Sequence, residues 1–187
     1  MIAGPSGVGK GTVAKRVVEL DPQGLVLSVS VTTRPSRPTE VSGRDYLFVS
    51  DAEFRRMIDD GELLEWAEVF GNLYGTPAAF VERERGHGRD VLLEIDVQGA
   101  KLVRDRAPDA VMILLEPPTL DELARRLRGR RTDSEERIKS RLATAEWELS
   151  QRDWFDHVVV NDDVQGAAER VAAIIASSRS EPEDPFA

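Results

Sequence analysis

Short apolar runs alternate with longer amphipathic segments along most of the 187-residue chain. The runs have the length of buried strands, and the longer segments repeat apolar residues every three or four positions, as one face of a helix requires. This pattern predicts strands at 25–28, 90–96, 111–115 and 157–160, and helices at 10–20, 98–106, 119–128, 134–150 and 164–177. Strands that alternate with helices are typical of an α/β domain, here a three-layer core with a parallel sheet flanked by helices.

Residues 30–88 show a different pattern of apolar and polar residues. Their apolar residues partly alternate with polar ones, as they do in a small antiparallel sheet, with a helix at 51–59 and a strand at 63–70. We therefore expect a small lobe inserted into the core, able to close over a ligand. Residues 181–187 are expected to form a frayed tail.

Composition and charge argue against several classes of protein and of binding site. The length fits one domain, and no apolar run is long enough to span a membrane. The formal net charge of −9 argues against general nucleic-acid binding, and the absence of cysteine excludes a disulfide framework or a thiolate metal site. We expect a cytoplasmic protein that binds neither nucleic acid nor membrane, as a monomer or homodimer.

The most informative motif is a phosphate-binding loop of the Walker A type near the start of the chain. It consists of Gly4, Pro5, Ser6, Gly7, Val8, Gly9, Lys10, Gly11 and Thr12. Its glycines let backbone N–H groups turn toward phosphate oxygens, the helix that follows adds its dipole, and Lys10 reaches the β- and γ-phosphates of a nucleotide.

Two features of this loop are unusual. Gly11 stands where a Ser or Thr usually binds Mg²⁺, and the hydroxyl comes one residue later at Thr12, so we expect Mg²⁺ to be held mostly by phosphates and water. Only three residues precede Gly4, which predicts either an unusually short first strand or a natural chain that begins upstream; we expect the second.

Arginines cluster at two further places. Arg34 and Arg37 lie beside prolines; such a pair can clamp a phosphate, although an isolated pair is more typical of a solvated loop. A second cluster comprises Arg125, Arg126, Arg128, Arg130 and Arg131, followed by Arg137 and Arg141. Five like charges within seven positions repel one another, which favours an anionic ligand.

Residues 32–49 carry a signature that resembles the guanylate kinase family. It reads Thr-Thr-Arg-x-x-Arg-x-x-Glu-x-x-Gly-x-x-Tyr-x-Phe-Val. Further matches are the loop at 4–12, Glu65-Trp66, residues 71–76, residues 94–99 and residues 161–163, so the resemblance spans nearly the whole chain.

The resemblance implies a role for individual residues. Arg34, Arg37, Tyr46 and Tyr74 would hold the GMP phosphate, while Ser30, Glu65, Thr76 and Asp96 would recognise guanine. Asn161 would contact the adenine of ATP, and Glu94 is the candidate for an outer-shell metal residue. The catalytic cations would be Lys10, Arg34, Arg126, Arg130 and Arg141. Without the resemblance, Glu65 would be assigned to the polar face of a strand.

The function implied is phosphorylation of GMP, and of dGMP, by Mg·ATP through direct in-line transfer. Two alternatives stay open: a non-catalytic guanylate-kinase-like binding module, or a P-loop kinase for another phosphorylated acceptor. The expected organisation is a core of residues 1–29, 89–125 and 142–180, a GMP-binding lobe at 30–88, and an arginine-rich lid at 126–141.

Overall fold

The computed structural model describes residues 1–129 and 134–180. In this part of the chain the strands are β1 (Ile2–Ala3), β2 (Leu25–Leu27), β3 (Val31–Thr32), β4 (Leu47–Phe48), β5 (Leu63–Val69), β6 (Asn72–Pro77), β7 (Asp90–Leu92), β8 (Ile113–Glu116) and β9 (His157–Val160). The helices are α1 (Lys10–Leu20), α2 (Asp51–Asp59), α3 (Ala78–Gly86), α4 (Val97–Arg106), α5 (Leu120–Gly129), α6 (Glu135–Ser150) and α7 (Val164–Ser180).

The chain divides into two compact units. The terminal unit comprises residues 2–22 together with the described residues from 111 onward, and the central unit comprises Met1 and residues 23–110. No helix within residues 1–129 and 134–180 is both long enough and apolar enough to cross a membrane.

The terminal unit is built on a parallel three-stranded sheet with β8 in the middle. Ile113 of β8 is paired with Ile2 of β1 on one side and with His157 of β9 on the other. Residues 113–115 of β8 are fully buried, as expected for a strand covered on both faces. Helices α1 and α7 pack against each other. This arrangement places the loop that follows β1 at the carboxyl end of a parallel strand, the usual position of ligands in α/β folds.

The central unit contains a four-stranded sheet in the order β4-β3-β6-β5. Its β5–β6 and β3–β6 pairs are antiparallel, whereas β3 and β4 run parallel. A core of Val31, Phe54, Leu63 and Leu73 lies beneath it. In the same unit β2 and β7 form a separate parallel pair. The predicted α/β class with parallel strands, and the predicted antiparallel strands of the insert, are confirmed.

The hairpin between β5 and β6 shows why sequence patterning found only one of its strands. Phe70 and Gly71 both have positive φ, 50° and 75°, which is the geometry of a two-residue type I′ turn. Strand β6 contains Gly75 and Pro77, residues that weaken a strand pattern. Gly75 is required by packing, because an added Cβ would lie 2.9 Å from the carbonyl oxygen of Glu65.

Two predicted boundaries differ from the structure near the sites described next. Strand β7 ends at Leu92 rather than at residue 96, and Asp96 is instead the N-cap of α4. Helix α3 was not predicted, because its apolar residues do not follow a helical repeat. The predicted core, lobe and lid boundaries remain predictions.

Candidate active site

The phosphate-binding loop of the terminal unit connects β1 to α1. Gly4, Gly7 and Gly9 have φ values of 141°, 95° and 101°, in the region that favours glycine. Two of these positions are also sterically closed: an added Cβ at Gly4 would lie 2.3 Å from the carbonyl oxygen of Leu115, and one at Gly9 would lie 2.6 Å from Nδ2 of Asn161. The loop conformation therefore depends on its glycines.

Lys10 is the first residue of α1 and bends back over the loop. Its Nζ donates to the carbonyl oxygens of Gly4 (2.5 Å) and Pro5 (3.3 Å). Gly9 occupies the N-cap and supplies no side-chain acceptor to the first turn of α1. A helix start without a side-chain cap, next to an ammonium group bonded to carbonyl oxygens, is a favourable site for an anion.

Two arginines of the terminal unit reach this loop. Arg126 donates to the carbonyl oxygens of Val8 (3.2 Å) and Asn161 (3.0 Å), and its Nε donates to Glu122 (2.8 Å). Arg141, which is buried, donates from Nη1 to the hydroxyl of Ser6 (2.9 Å). Arg130, the third predicted lid arginine, lies outside the described residues.

A cavity of about 400 Å³ lies beside the loop, lined among others by Gly7, Gly9, Thr12, Arg126 and Asn161. Asn161 is 3% exposed, and its Nδ2 donates to the carbonyl oxygen of Val8 at 2.7 Å. Its Oδ1 has no hydrogen-bond partner among the described residues. A buried acceptor left without a partner is costly and suggests that a ligand supplies the donor.

The central unit holds the second group of predicted site residues. Arg34 donates from Nη2 to Glu40 (2.9 Å), and Glu40 also accepts from the backbone N–H of Arg37 (2.7 Å). The guanidinium of Arg34 lies over the ring of Tyr46, 5.3 Å from its centroid. The ring of Tyr74 meets that of Tyr46 edge-on at 6.2 Å. The structure therefore brings together the four residues assigned to the GMP phosphate.

Glu40 holds the two arginines in place. Burial raises the pKa of Glu40, but the hydrogen bonds from Arg34 and from the Arg37 backbone outweigh burial, so its pKa lies below the ordinary value. The carboxylate is therefore ionised at neutral pH and fixes the start of the loop that carries Arg34 and Arg37.

Glu65 is buried, contrary to its assignment from strand patterning alone. It is 4% exposed on β5, and Oε1 accepts a 2.6 Å hydrogen bond from the hydroxyl of Thr76 on β6, which is 1% exposed. Glu65 is paired with Thr76 across the β5–β6 ladder, and its side chain lies on the buried face with those of Leu63 and Ala67, while Trp66 is exposed.

The pKa of Glu65 is raised to about 7. Burial is the largest cause, and the charge of Asp96 adds to it. The hydrogen bond from Thr76 and the charge of Arg106 act in the opposite direction. A carboxylate with few donors in a buried site is a strong acceptor for a ligand that brings paired N–H groups.

Asp96 and Ser30 complete the predicted set. Asp96 Oδ1 accepts from the backbone N–H groups of Gln98 (2.7 Å) and Gly99 (2.9 Å), so this side chain caps α4. The carbonyl oxygen of Ser30 accepts from the backbone N–H of Leu47 at 2.9 Å.

Comparison with known proteins decides the family. The guanylate kinase family model matches residues 1–178. The chain belongs to the guanylate kinase family. Curated guanylate kinases include one from Syntrophomonas wolfei, 50% identical over 179 residues (96% of this chain and 91% of the relative), and one from Rubrobacter xylanophilus, 52% identical over 175 residues (94% and 91%).

A solved guanylate kinase supports the same assignment at the level of the fold. The crystal structure of the guanylate kinase from Anaplasma phagocytophilum matches with a TM-score of 0.80 at 35% identity, over 97% of this chain and 85% of that one. As a member of the guanylate kinase family, the chain is an enzyme, a phosphotransferase of the kinase class.

Sequence reasoning missed two supporting residues in this guanylate kinase family member. Glu122, one turn before Arg126 on α5, accepts from Arg125 and Arg126, and these hydrogen bonds lower its pKa to about 2. Arg106, the last residue of α4, donates to the carbonyl oxygens of Leu63 and Leu64 on β5. The i, i+4 spacing of Glu122 and Arg126 is a detectable signal, whereas no local pattern links Arg106 to β5.

Proposed function

We propose that the chain transfers the γ-phosphoryl group of ATP to the phosphate of GMP, giving ADP and GDP, with ATP bound by the terminal unit and GMP by the central unit. The observation that carries this assignment is the buried Glu65–Thr76 pair, because it adds a guanine-specific acceptor to a protein with a phosphate-binding loop. The family membership of the chain supports the same reaction.

Binding of ATP, the phosphoryl donor, would depend on cations that are held around the phosphate-binding loop by the contacts described above. Lys10 would exchange its bonds to the carbonyl oxygens of Gly4 and Pro5 for the β- and γ-phosphate oxygens of ATP. Arg126 and Arg141, both bonded to the loop, would add positive charge as negative charge moves between phosphates. Arg130 keeps its predicted role in the lid. The backbone of residues 4–12 would surround the phosphates.

Mg²⁺ would enter as part of the nucleotide substrate. Within residues 1–129 and 134–180 no group of three or more His, Cys, Asp or Glu side chains is arranged to hold a metal ion. The residues present fit an ion that keeps phosphate oxygens and water as ligands, since Thr12, which carries a hydroxyl, lines the loop cavity. The ion would neutralise the donor phosphates, and Glu94 is kept as an outer-shell candidate.

Asn161 would recognise the adenine of ATP. Its Nδ2 is used by the carbonyl oxygen of Val8, which leaves the buried Oδ1 as an acceptor beside the cavity. The exocyclic amino group of adenine is a suitable donor for that atom. We expect the preference for adenine to be modest, because a single hydrogen bond discriminates weakly.

Arg34, Arg37, Tyr46 and Tyr74 would hold the acceptor phosphate. The arginine forks match phosphate oxygens, and the Arg34 guanidinium lies over the Tyr46 ring before a ligand arrives. Burial raises the pKa of Tyr46, so its hydroxyl stays protonated and donates. The acceptor clamp is therefore partly formed in the free protein.

Glu65 would recognise guanine. Guanine presents N1–H and the N2 amino group side by side, and one carboxylate accepts from both. The hydroxyls of Ser30 and Thr76 would serve the O6 side, and Asp96 is kept as a further member of the guanine site. Adenine lacks this donor pair and would leave the buried Glu65 without partners, which can cost several orders of magnitude in rate. None of these residues is assigned to the sugar, so dGMP is expected as a second acceptor.

The transfer would be direct. The nucleophile is an oxygen of the GMP phosphate itself, so no phosphorylated protein intermediate is needed, and catalysis consists of alignment and charge stabilisation. ADP formation from Mg·ATP should be measured with GMP, dGMP, AMP, CMP, UMP or no acceptor. We expect turnover with GMP and dGMP alone; turnover with AMP equal to that with GMP would contradict the assigned base recognition.

A further inference from the structure

A glycine in the first turn of α4 lacks an explanation from backbone geometry. Gly99 lies inside the helix and is not among the residues with positive φ. Glycine in such a position costs about 1 kcal/mol relative to alanine. A reason other than backbone conformation must therefore favour it at this position.

The space next to Gly99 is occupied by the Glu65 carboxylate. An added Cβ at Gly99 would lie 2.7 Å from Oε2 of Glu65 and 3.4 Å from its Cδ. The next atom, the Cβ of Ile95, would be at 3.6 Å, which is an ordinary contact. Glu65 therefore lies directly against the helix backbone, and the missing side chain of Gly99 is what admits it.

The backbone on both sides is held, so the carboxylate is the part that would move. Arg106 at the far end of α4 donates to the carbonyl oxygens of Leu63 and Leu64, which ties β5 to this helix. Asp96 caps the first turn through the N–H of Gly99. By contrast, Oε2 is the end of a flexible side chain whose other oxygen is held by Thr76.

We propose that Gly99 is a positioning residue for base recognition: the absence of its side chain lets the Glu65 carboxylate lie against α4 in the orientation that accepts the donor pair of guanine. This inference rests on the proposed role of Glu65. It goes beyond that role because it assigns part of the guanine selectivity to Gly99, which has no side chain with which to contact the nucleotide.

The test is the Gly99→Ala variant, assayed with GMP and with IMP, which lacks the 2-amino group. A displacement of the carboxylate by about 1 Å can lower kcat/KM by up to about 100-fold. We expect most of the loss with GMP to be in KM, and a smaller loss with IMP, so that the preference for GMP over IMP falls. KM for ATP should stay within about twofold, because the change does not touch the phosphate-binding loop.

The thermal stability of the Gly99→Ala variant distinguishes a positioning role of Gly99 from a packing role. The Gly99→Ala variant should unfold within about 4 °C of the parent, because alanine favours the helix and the displaced atoms belong to one flexible side chain. A variant that fails to fold, or that unfolds much earlier, would overturn the proposal in favour of a packing constraint. Gly86→Ala is the matched control: Gly86 ends α3, an added Cβ there meets nothing within 4 Å, and unchanged kinetics are expected.

A double-mutant cycle with Glu65→Gln decides whether Gly99 acts through Glu65. If it does, Gly99→Ala should cost little more in kcat/KM for GMP once Glu65 has been replaced. An equal loss in both backgrounds, or parent kinetics for Gly99→Ala, would overturn the proposal. If Glu65→Gln alone leaves GMP kinetics unchanged, the assigned role of Glu65 fails instead, and this inference fails with it.

Discussion

The two candidate sites handle charge in opposite ways. In the terminal unit, Lys10 donates to the carbonyl oxygens of Gly4 and Pro5, and Arg126 divides its bonds between backbone carbonyl oxygens and the carboxylate of Glu122, so cations are held against the loop. In the central unit, Arg34 is paired with Glu40, and the group with few partners is a carboxylate, Glu65.

This difference separates affinity for phosphate from recognition of a base. The cations around the loop attract any nucleotide phosphate, and they contribute most as charge moves during transfer. A buried carboxylate with one short hydrogen bond attracts only a ligand that brings the correct donors, because a wrong ligand leaves it unpaired. The loop should therefore control the rate of transfer and Glu65 the choice of acceptor.

The largest effect is expected from Lys10→Ala. Loss of the ammonium group removes charge stabilisation from the phosphate being transferred, and we expect kcat to fall by about 10³-fold or more. GMP binding, measured by calorimetry, should change little because its residues belong to the central unit. Lys15→Ala, on the exposed side of the same helix, is the control; retained turnover of Lys10→Ala would contradict the role of Lys10.

Glu65→Gln tests the other half of the comparison. The amide offers one acceptor and adds a donor that opposes the guanine amino group, so we expect kcat/KM for GMP to fall by about 10²-fold or more. Glu68→Gln is the matched control, since Glu68 lies on the exposed face of the same strand.

A second measurement makes this comparison sharper. KM for ATP in Glu65→Gln should match that of the parent. If the substitution changes the constants for ATP as much as those for GMP, Glu65 does not act on the acceptor alone.

How far each site is predictable from sequence depends on whether its residues are contiguous. The loop at 4–12 is one uninterrupted motif, so its glycines, Lys10 and the start of α1 are evident without a structure. The proposed guanine site is assembled from β5, β6 and the N-cap of α4, and Glu65 is indistinguishable in patterning from a solvent-facing strand residue. The family resemblance assigned it, and only the structure shows that it is buried.

The missed features share a physical cause. Strand β6 is stabilised by pairing with β3 and β5 and by Phe54 beneath Gly75, contacts that override its weak strand propensity. The N-cap role of Asp96 was missed because the strand was predicted to extend through residue 96. Arg106 and Gly99 act on a residue more than 30 positions away, which no local pattern reveals.

Glu40→Ala tests whether the acceptor arginines need their carboxylate. Removing the negative charge would favour phosphate by about 1 kcal/mol in a solvated loop, but the variant loses charge-assisted hydrogen bonds worth about 1.5–3 kcal/mol each. We therefore expect KM for GMP to rise about tenfold, with kcat nearly unchanged. Asp60→Ala, which removes an exposed ion pair with Arg56, is the control. A lower KM for GMP would show that Glu40 competes with the phosphate.

The smallest effect is a pH dependence that belongs to Glu65 alone. In the proposed role its ionised form accepts from guanine, and with a pKa of about 7 in the free protein the ionised fraction rises about fourfold between pH 6.5 and 8. We expect Glu65 to contribute a rise of the same factor to kcat/KM for GMP over that interval. Glu65→Gln should remove this rise and keep only the pH dependence of kcat/KM that comes from titration of the GMP phosphate.

Protein stability should change with pH in the opposite direction. A carboxyl group whose pKa is raised on folding binds more protons in the folded state, so its contribution is full below its unfolded pKa of about 4.5 and is lost as the pH rises through about 7. The parent should therefore lose up to about 3 kcal/mol of unfolding free energy relative to Glu65→Gln between pH 4.5 and 8. Denaturant unfolding of both proteins at these two pH values measures the difference. A constant difference would mean that folding does not raise the pKa of Glu65, so that guanine meets a charged acceptor over most of this pH interval.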